Sequence, residues 1–131
     1  TGDLAFHHDA NGLLAAKTHG LPLTVVLINN DGGGIFEFLP ISEFGAAYET
    51  HFGTPHGTDF RALCAAYGAA HSLPATWAEF RAQVSASLAS PGVQVIEVRT
   101  ERRHNREQHR RVWEAVARRV APAFPEGRTV G

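Results

Sequence analysis

Two short clusters in this sequence carry the groups best suited to a hard cation: Gly2-Asp3, and Asn29-Asn30-Asp31-Gly32-Gly33-Gly34. Asp3 would bring a charged oxygen, Asn30 a neutral one, and a glycine of the second cluster a carbonyl. Magnesium takes six oxygens in octahedral geometry, usually few from protein and the rest from phosphates and water. Two diphosphate oxygens and a water would complete such a shell. Gly-Asp or Asn-Asn alone is an ordinary turn pair. What singles them out is the helix and strand that separate them.

Those separating elements can be read from local pattern. His8 to Lys17 has the leucines and alanines of a helix, with Gly20 to stop it. After Pro22, the apolar run Leu23 to Ile28 (LTVVLI) predicts a parallel strand buried on both faces. The Asn/Gly cluster cannot continue that strand. Asp3 and Asn30 are thus one crossover apart, provided a strand precedes Gly2. A right-handed crossover returns both loops to the same edge of a sheet. Ligands in open α/β sheets bind at the carboxyl ends of strands, and the dipole of the helix starting near His8 would favour phosphate there.

Further along, Ile35 to Leu39 is a short apolar stretch, and Pro40 and Ser42 turn into a weak helix through Tyr48. His51 to Thr58 reads as loop. Asp59 caps a helix to Tyr67, closed by Gly68. Thr76 and Glu79 form a capping box for a helix to about Ala89. After the turn at Ser90-Pro91-Gly92, Val93 to Val98 (VQVIEV) predicts a second parallel strand, and a helix from about Asn105 to Val120 follows. The alternation implies an α/β fold, a parallel sheet flanked by helices with its first strand or strands absent. Residues 1–121 form one domain and 122–131 a frayed tail.

The motifs resemble those of thiamine-diphosphate enzymes, whose Gly-Asp is followed some two dozen residues later by Asn-Asn. GDLAFHHDANGL, INNDGGGIFEFLP and FGTPHGTDF, in that order, are similar to the MenD family, the 2-succinyl-5-enolpyruvyl-6-hydroxy-3-cyclohexene-1-carboxylate synthases of menaquinone biosynthesis. The resemblance runs from Gly2 to about Val120. It implies thiamine diphosphate and Mg2+ (or Mn2+) as cofactors, with Asp3, Asn30 and the Gly32 carbonyl as metal ligands. Gly2, Leu4, Ala5, Gly33, Gly34 and Ile35 would line the cofactor. Ile35, Phe36 and Leu39 would form the apolar wall beside the thiazolium ring where substrate reacts. Leu4 replaces the glycine of most relatives outside MenD, and Asp31 a common asparagine. The implied reaction decarboxylates 2-oxoglutarate and adds the succinyl-semialdehyde carbanion to isochorismate. The activating glutamate would lie on another domain of a neighbouring subunit, in a homodimer or homotetramer. The 131 residues alone are therefore expected to be inactive. Another carboligase or decarboxylase of the superfamily, acetolactate-synthase-like, is the alternative; FGTPHGTDF argues against it.

Other groups attract attention for different chemistry. His7-His8-Asp9 could be a metal cluster, but adjacent residues at a helix start diverge. His51 and His56 lie in a Gly/Pro loop, where contact with substrate or cofactor is open. Residues 1–60 hold seven acids and one base, Lys17, while residues 61–131 hold eleven bases and six acids. Seven arginines fall between 101 and 119, which raises nucleic acid as a partner. Against it, Glu101, Glu107 and Glu114 interleave them, and Val112, Trp113, Val116 and Val120 fall at helical spacing as a buried stripe. A solvated or subunit-facing helix is the preferred reading, with no nucleic acid and no membrane partner. Trp77 and Trp113 are expected in the core, and so is the lone Cys64. Ordinary globular composition, one cysteine and no signal-like N-terminus suggest a cytoplasmic protein.

Overall fold

The computed structural model describes residues 1–123; the expected tail at 122–131 lies almost wholly outside the described residues. Its centre is a parallel sheet of three strands: β1 (Leu23–Asn29), β2 (Ala70–Ser72) and β3 (Val93–Arg99), in the order β1-β3-β2. Leu23 pairs with Val93 and Asn29 with Arg99, while Ala70 to Ser72 pair with Gln94 to Ile96. On the outer side of β1, Gly2 bridges Ile28 in parallel, and the Ile28 N–H donates to the Thr1 carbonyl at 2.9 Å. The first two residues thus run as a fourth strand position, placing Asp3 at a strand's carboxyl end.

Helices α1 (Asp3–His8), α2 (Gly12–Thr18), α4 (Phe60–Tyr67) and α5 (Trp77–Leu88) pack against the strands, while α3 (Gly45–Tyr48) and α6 (Arg102–Val120) pack on the short helical turns between Gly34 and Gly53. Strand residues alternate between faces. Leu27, Val93 and Val95 meet Phe6, Leu13, Ala16, Phe60 and Cys64 of α1, α2 and α4 in the main core. On the other face, Thr24 donates to the Ser87 hydroxyl of α5 at 3.1 Å. Cys64 is fully buried, and burial, then the Glu97 charge, pushes its thiol up to about 11. It is a structural thiol, inert at neutral pH.

The expected caps of α4 and α5 are present. Asp59 accepts from the Ala62 N–H at 3.0 Å, Gly68 closes α4 at φ 72°, and Thr76 accepts from the Glu79 N–H at 3.2 Å. The single helix expected from His8 to Lys17 is instead two, split at Asp9-Ala10-Asn11. Asp, Asn and the following glycine favour turns over helix interior, and the Gly12 N–H bonds the Asp9 carbonyl across the break. β2 is additional; three residues carry too little pattern to be read. α6 starts at Arg102, three residues earlier than expected, because Glu101 acts as its cap and accepts from the Arg103 and His104 N–H groups.

Three burial expectations fail, the first at β1, which is not buried on both faces: Leu23 and Ile28 are exposed and of its side chains Leu27 alone is fully buried. Trp77 is 73% exposed, its ring edge-on to Phe80, and Val112, Trp113, Val116 and Val120 all lie at the surface of α6. Helical spacing sets which side chains share a face; it does not supply something to cover them. Among the described residues, the aromatic rings that Trp113 meets are those of His109 and Phe38. The charge asymmetry is resolved across the fold: Arg102 and Arg103 pair with Glu49, and Arg106 with Glu43 at 2.7 Å.

Candidate cofactor site

Asp3 and the Asn/Gly loop meet at the sheet edge. Asp3 is 2% exposed, and its Oδ2 accepts from the backbone N–H groups of Asn30 at 3.0 Å and Gly32 at 2.9 Å. Its Oδ1 takes the Leu4 N–H at 2.8 Å. Three backbone N–H groups, from the Asn/Gly loop and the first turn of α1, thereby hold one carboxylate in a fixed orientation. The helix beginning at Asp3 rather than near His8 places Leu4 and Ala5, both exposed, in its first turn.

Backbone shape explains the glycines. Gly32 has φ 132°, which L side chains rarely adopt, and a Cβ there would collide with the Gly53 carbonyl. A Cβ on Gly33 would strike the Phe52 carbonyl and the Phe36 ring, and one on Gly34 the Asn30 amide. The Gly33 N–H donates to the Gly53 carbonyl at 2.8 Å, tying the loop to the turn at Glu49–Gly53. Arg102 packs under that turn with Nη2 2.8 Å from Glu49 Oε2.

This donor set fits a magnesium diphosphate. Asn30 Oδ1 is buried and has no hydrogen-bond partner. An orphaned buried acceptor is costly unless something supplies positive charge or a proton. The Gly32 carbonyl accepts only the Gly34 N–H at 3.0 Å, so a lone pair remains. One carboxylate, one amide oxygen and one carbonyl are the hard oxygens that magnesium selects. Among the described residues no three His, Cys, Asp or Glu side chains cluster as a transition-metal site would need. His7 and His8 are exposed, and His8 bonds its neighbour Asp9.

Ile35 is 74% exposed and Leu39 also lies at the surface, beside the glycine loop. Phe36 is half-buried, its ring edge-on to Phe52 at 5.6 Å. His51 is exposed and far less engaged than His56, which reaches Asp3 Oδ2 with its Nε2 at 3.2 Å. Asp31, at φ 57°, accepts from the Gly57 and His56 N–H groups, and these bonds hold its carboxyl below the ordinary 3.8. Sequence left His56 undecided and gave Asp31 no partner. Nothing in spacing foretells that the loop at 54–59 folds over the Asn/Gly loop.

A buried polar group supports the site from beneath. Glu97 Oε1 accepts from Asn29 Nδ2 at 2.7 Å and Arg99 Nε at 3.0 Å, and its Oε2 meets His71 Nε2 at 2.8 Å. Asn29 in turn accepts the Asp31 N–H at 3.0 Å. This chain links the sheet interior to the loop that carries Asn30 and Gly32. A glutamate inside VQVIEV offered no sequence signal of that role.

Residues 1–98 match the family model described as "Thiamine pyrophosphate enzyme, C-terminal TPP binding domain", and the chain belongs to that family. Within it, the chain is 55% identical over 120 residues to a 2-succinyl-5-enolpyruvyl-6-hydroxy-3-cyclohexene-1-carboxylate synthase of Geobacillus kaustophilus, covering 92% of the chain and 21% of that protein. The synthase of the same name from Chloroflexus aurantiacus is 47% identical over 122 residues, covering 93% and 21%. The chain spans about a fifth of the length of these relatives. Among solved structures, a benzoylformate decarboxylase from Polynucleobacter necessarius superposes with TM-score 0.67 at 24% identity, over 78% of this chain and 19% of that one. A 4-hydroxybenzoylformate decarboxylase of Rhodococcus jostii does so with 0.66 at 27% identity, over 77% and 19%. The parallel sheet with flanking helices is thus the fold of thiamine-diphosphate enzymes.

Proposed function

We propose that residues 1–121 are the diphosphate- and magnesium-holding domain of a synthase that decarboxylates 2-oxoglutarate and joins the four-carbon remainder to isochorismate. The observation that carries the cofactor reading is the buried, unpartnered Asn30 Oδ1 beside the backbone-anchored carboxylate of Asp3. The substrate reading rests on identity near 50% to synthases of that name, against 27% or less to the decarboxylases.

Bound thiamine diphosphate supplies the carbon nucleophile that takes up a 2-oxo acid and lets its carboxylate leave as carbon dioxide. The chain's own residues bind and orient. Asp3, Asn30 and the Gly32 carbonyl would hold the cation, which carries the diphosphate. Gly2, Leu4, Ala5, Gly33 and Gly34 give the phosphates room and backbone. Ile35 and Leu39, exposed here, would close an apolar wall with Phe36 and keep water from the reacting carbons. The residues that grip two acidic substrates and the activating glutamate are assigned to the rest of the enzyme and a second subunit, in a homodimer or homotetramer. No helix among the described residues is long and apolar enough to cross a membrane, and a cytoplasmic setting is proposed.

The test is substrate choice. A full-length synthase carrying this domain should release carbon dioxide from 2-oxoglutarate and consume isochorismate with it. Preference for pyruvate or benzoylformate over 2-oxoglutarate would replace this reading with that of a decarboxylase or another carboligase.

A further inference from the structure

His56 belongs to neither of the two clusters whose spacing marks the site. It lies between Gly53 and α4, yet its side chain is only 14% exposed and its Nε2 is 3.2 Å from Asp3 Oδ2. Two contacts fix the ring, and a third anchors the backbone that carries it. The Thr58 N–H donates to Nδ1 at 3.0 Å, the Phe60 ring stands edge-on at 5.5 Å, and the His56 and Gly57 N–H groups hold Asp31 Oδ1 at 3.1 and 2.9 Å. Because Nδ1 accepts from Thr58, a neutral ring carries its proton on Nε2. That N–H donates to Asp3 Oδ2.

Asp3 Oδ2 then receives three N–H groups, from Asn30, Gly32 and His56, while Oδ1 receives only that of Leu4. An oxygen with three donors has no lone pair free for a cation; Oδ1 does. We propose that His56 is a positioning residue of the magnesium site: its Nε2–H holds Asp3 Oδ2 and turns Oδ1 toward the cation, with Asp31 seating the histidine. The inference rests on the reading of Asp3 as a metal ligand. It also gives Asp31 a purpose, since an asparagine there would lose the charge that gathers the two N–H groups.

Hydrogen-bond partners of metal ligands typically affect metal affinity by about 10–100-fold. The test uses a full-length synthase carrying this domain, with Mn2+ titrated in the presence of thiamine diphosphate and free Mn2+ read by electron paramagnetic resonance. His56→Phe keeps the ring volume and the edge contact with Phe60 but has no donor; His56→Gln keeps an N–H donor with less packing. His56→Phe should weaken Mn2+ binding by about 10–100-fold while thermal stability stays near wild type. His56→Gln should recover most of the affinity, and Asp3→Ala should show no binding. Wild-type affinity in His56→Phe beside a silent Asp3→Ala overturns the role of His56 alone. The reverse order, Phe tight and Gln weak, reduces His56 to packing. Wild-type affinity in Asp3→Ala overturns the site itself.

Discussion

Removing the Glu97 carboxylate should loosen the sheet end on which the loop carrying Asn30 and Gly32 is mounted. The side chain is 2% exposed and accepts from Asn29, Arg99 and His71. In Glu97→Ala, Asn29 Nδ2 and His71 Nε2 are left as orphaned donors in a mostly buried setting. Each orphaned donor costs about 1–3 kcal/mol, so the pair costs about 4 kcal/mol. Arg99 is 67% exposed and simply returns to water. Glu97→Gln behaves differently. Its carbonyl can keep Asn29 and Arg99, and its amide faces His71, whose Nδ1 is buried without a partner. Moving the ring proton to Nδ1 lets Nε2 accept from the new amide. Nδ1 then exchanges one unpartnered group, an acceptor, for another, a donor, so the net loss is the charge-assisted part, about 1.5 kcal/mol. At about 1.4 kcal/mol per tenfold, amides of residues 23–29 and 93–99 should exchange about a thousandfold faster in Glu97→Ala and about tenfold faster in Glu97→Gln. Hydrogen exchange followed by mass spectrometry reads such local openings directly. Equal effects of the two substitutions, or none, would show that Glu97 does not brace these strand ends. The pH dependence has a definite sign. Burial pushes the Glu97 pKa up, but the bonds from Asn29, Arg99 and His71 outweigh it and hold the carboxyl below the ordinary 4.5. A group depressed in the folded state stabilises above its unfolded pKa and loses that contribution as pH falls through the folded one. Strand protection, corrected for intrinsic exchange, should be flat above neutral and decline below about pH 4.5.

Gly33→Ala places a methyl group against the Phe52 carbonyl; it should abolish cofactor binding in calorimetry while the far-UV circular dichroism of the fold is kept. Phe36→Ala should lower turnover more than it weakens magnesium binding; intact activity with only reduced thermal stability would make Phe36 ordinary core against Phe52. The 131-residue chain alone, given thiamine diphosphate, magnesium and 2-oxoglutarate, should release no carbon dioxide above background.

The parallel strands, the caps at Asp59 and Thr76, and the meeting of Asp3 with Asn30 were legible because each depends on local pattern or on one crossover. Leu23 to Ile28 has a single physical reading, and one helix plus one strand leaves few ways to return. What sequence concealed was long-range. His56 reaches Asp3 across 53 positions, and Glu97 reaches Asn29 across 68; neither pairing has a period or a motif. The stripe Val112, Trp113, Val116 and Val120 was legible as a face, but its exposure depends on what stands opposite. Ser/Thr/Asp/Asn preferences found the ordinary caps and missed Glu101, which advanced α6 by three residues.

On the proposed reading, Asp3 is the charged ligand through which magnesium and diphosphate are held. Calorimetric titration of thiamine diphosphate with magnesium into a full-length synthase carrying this domain, wild type against Asp3→Ala, tests it most directly. One charged ligand is hard for water to replace, so wild type should give a saturating isotherm and Asp3→Ala no measurable heat of binding. Unchanged affinity in Asp3→Ala would contradict the account.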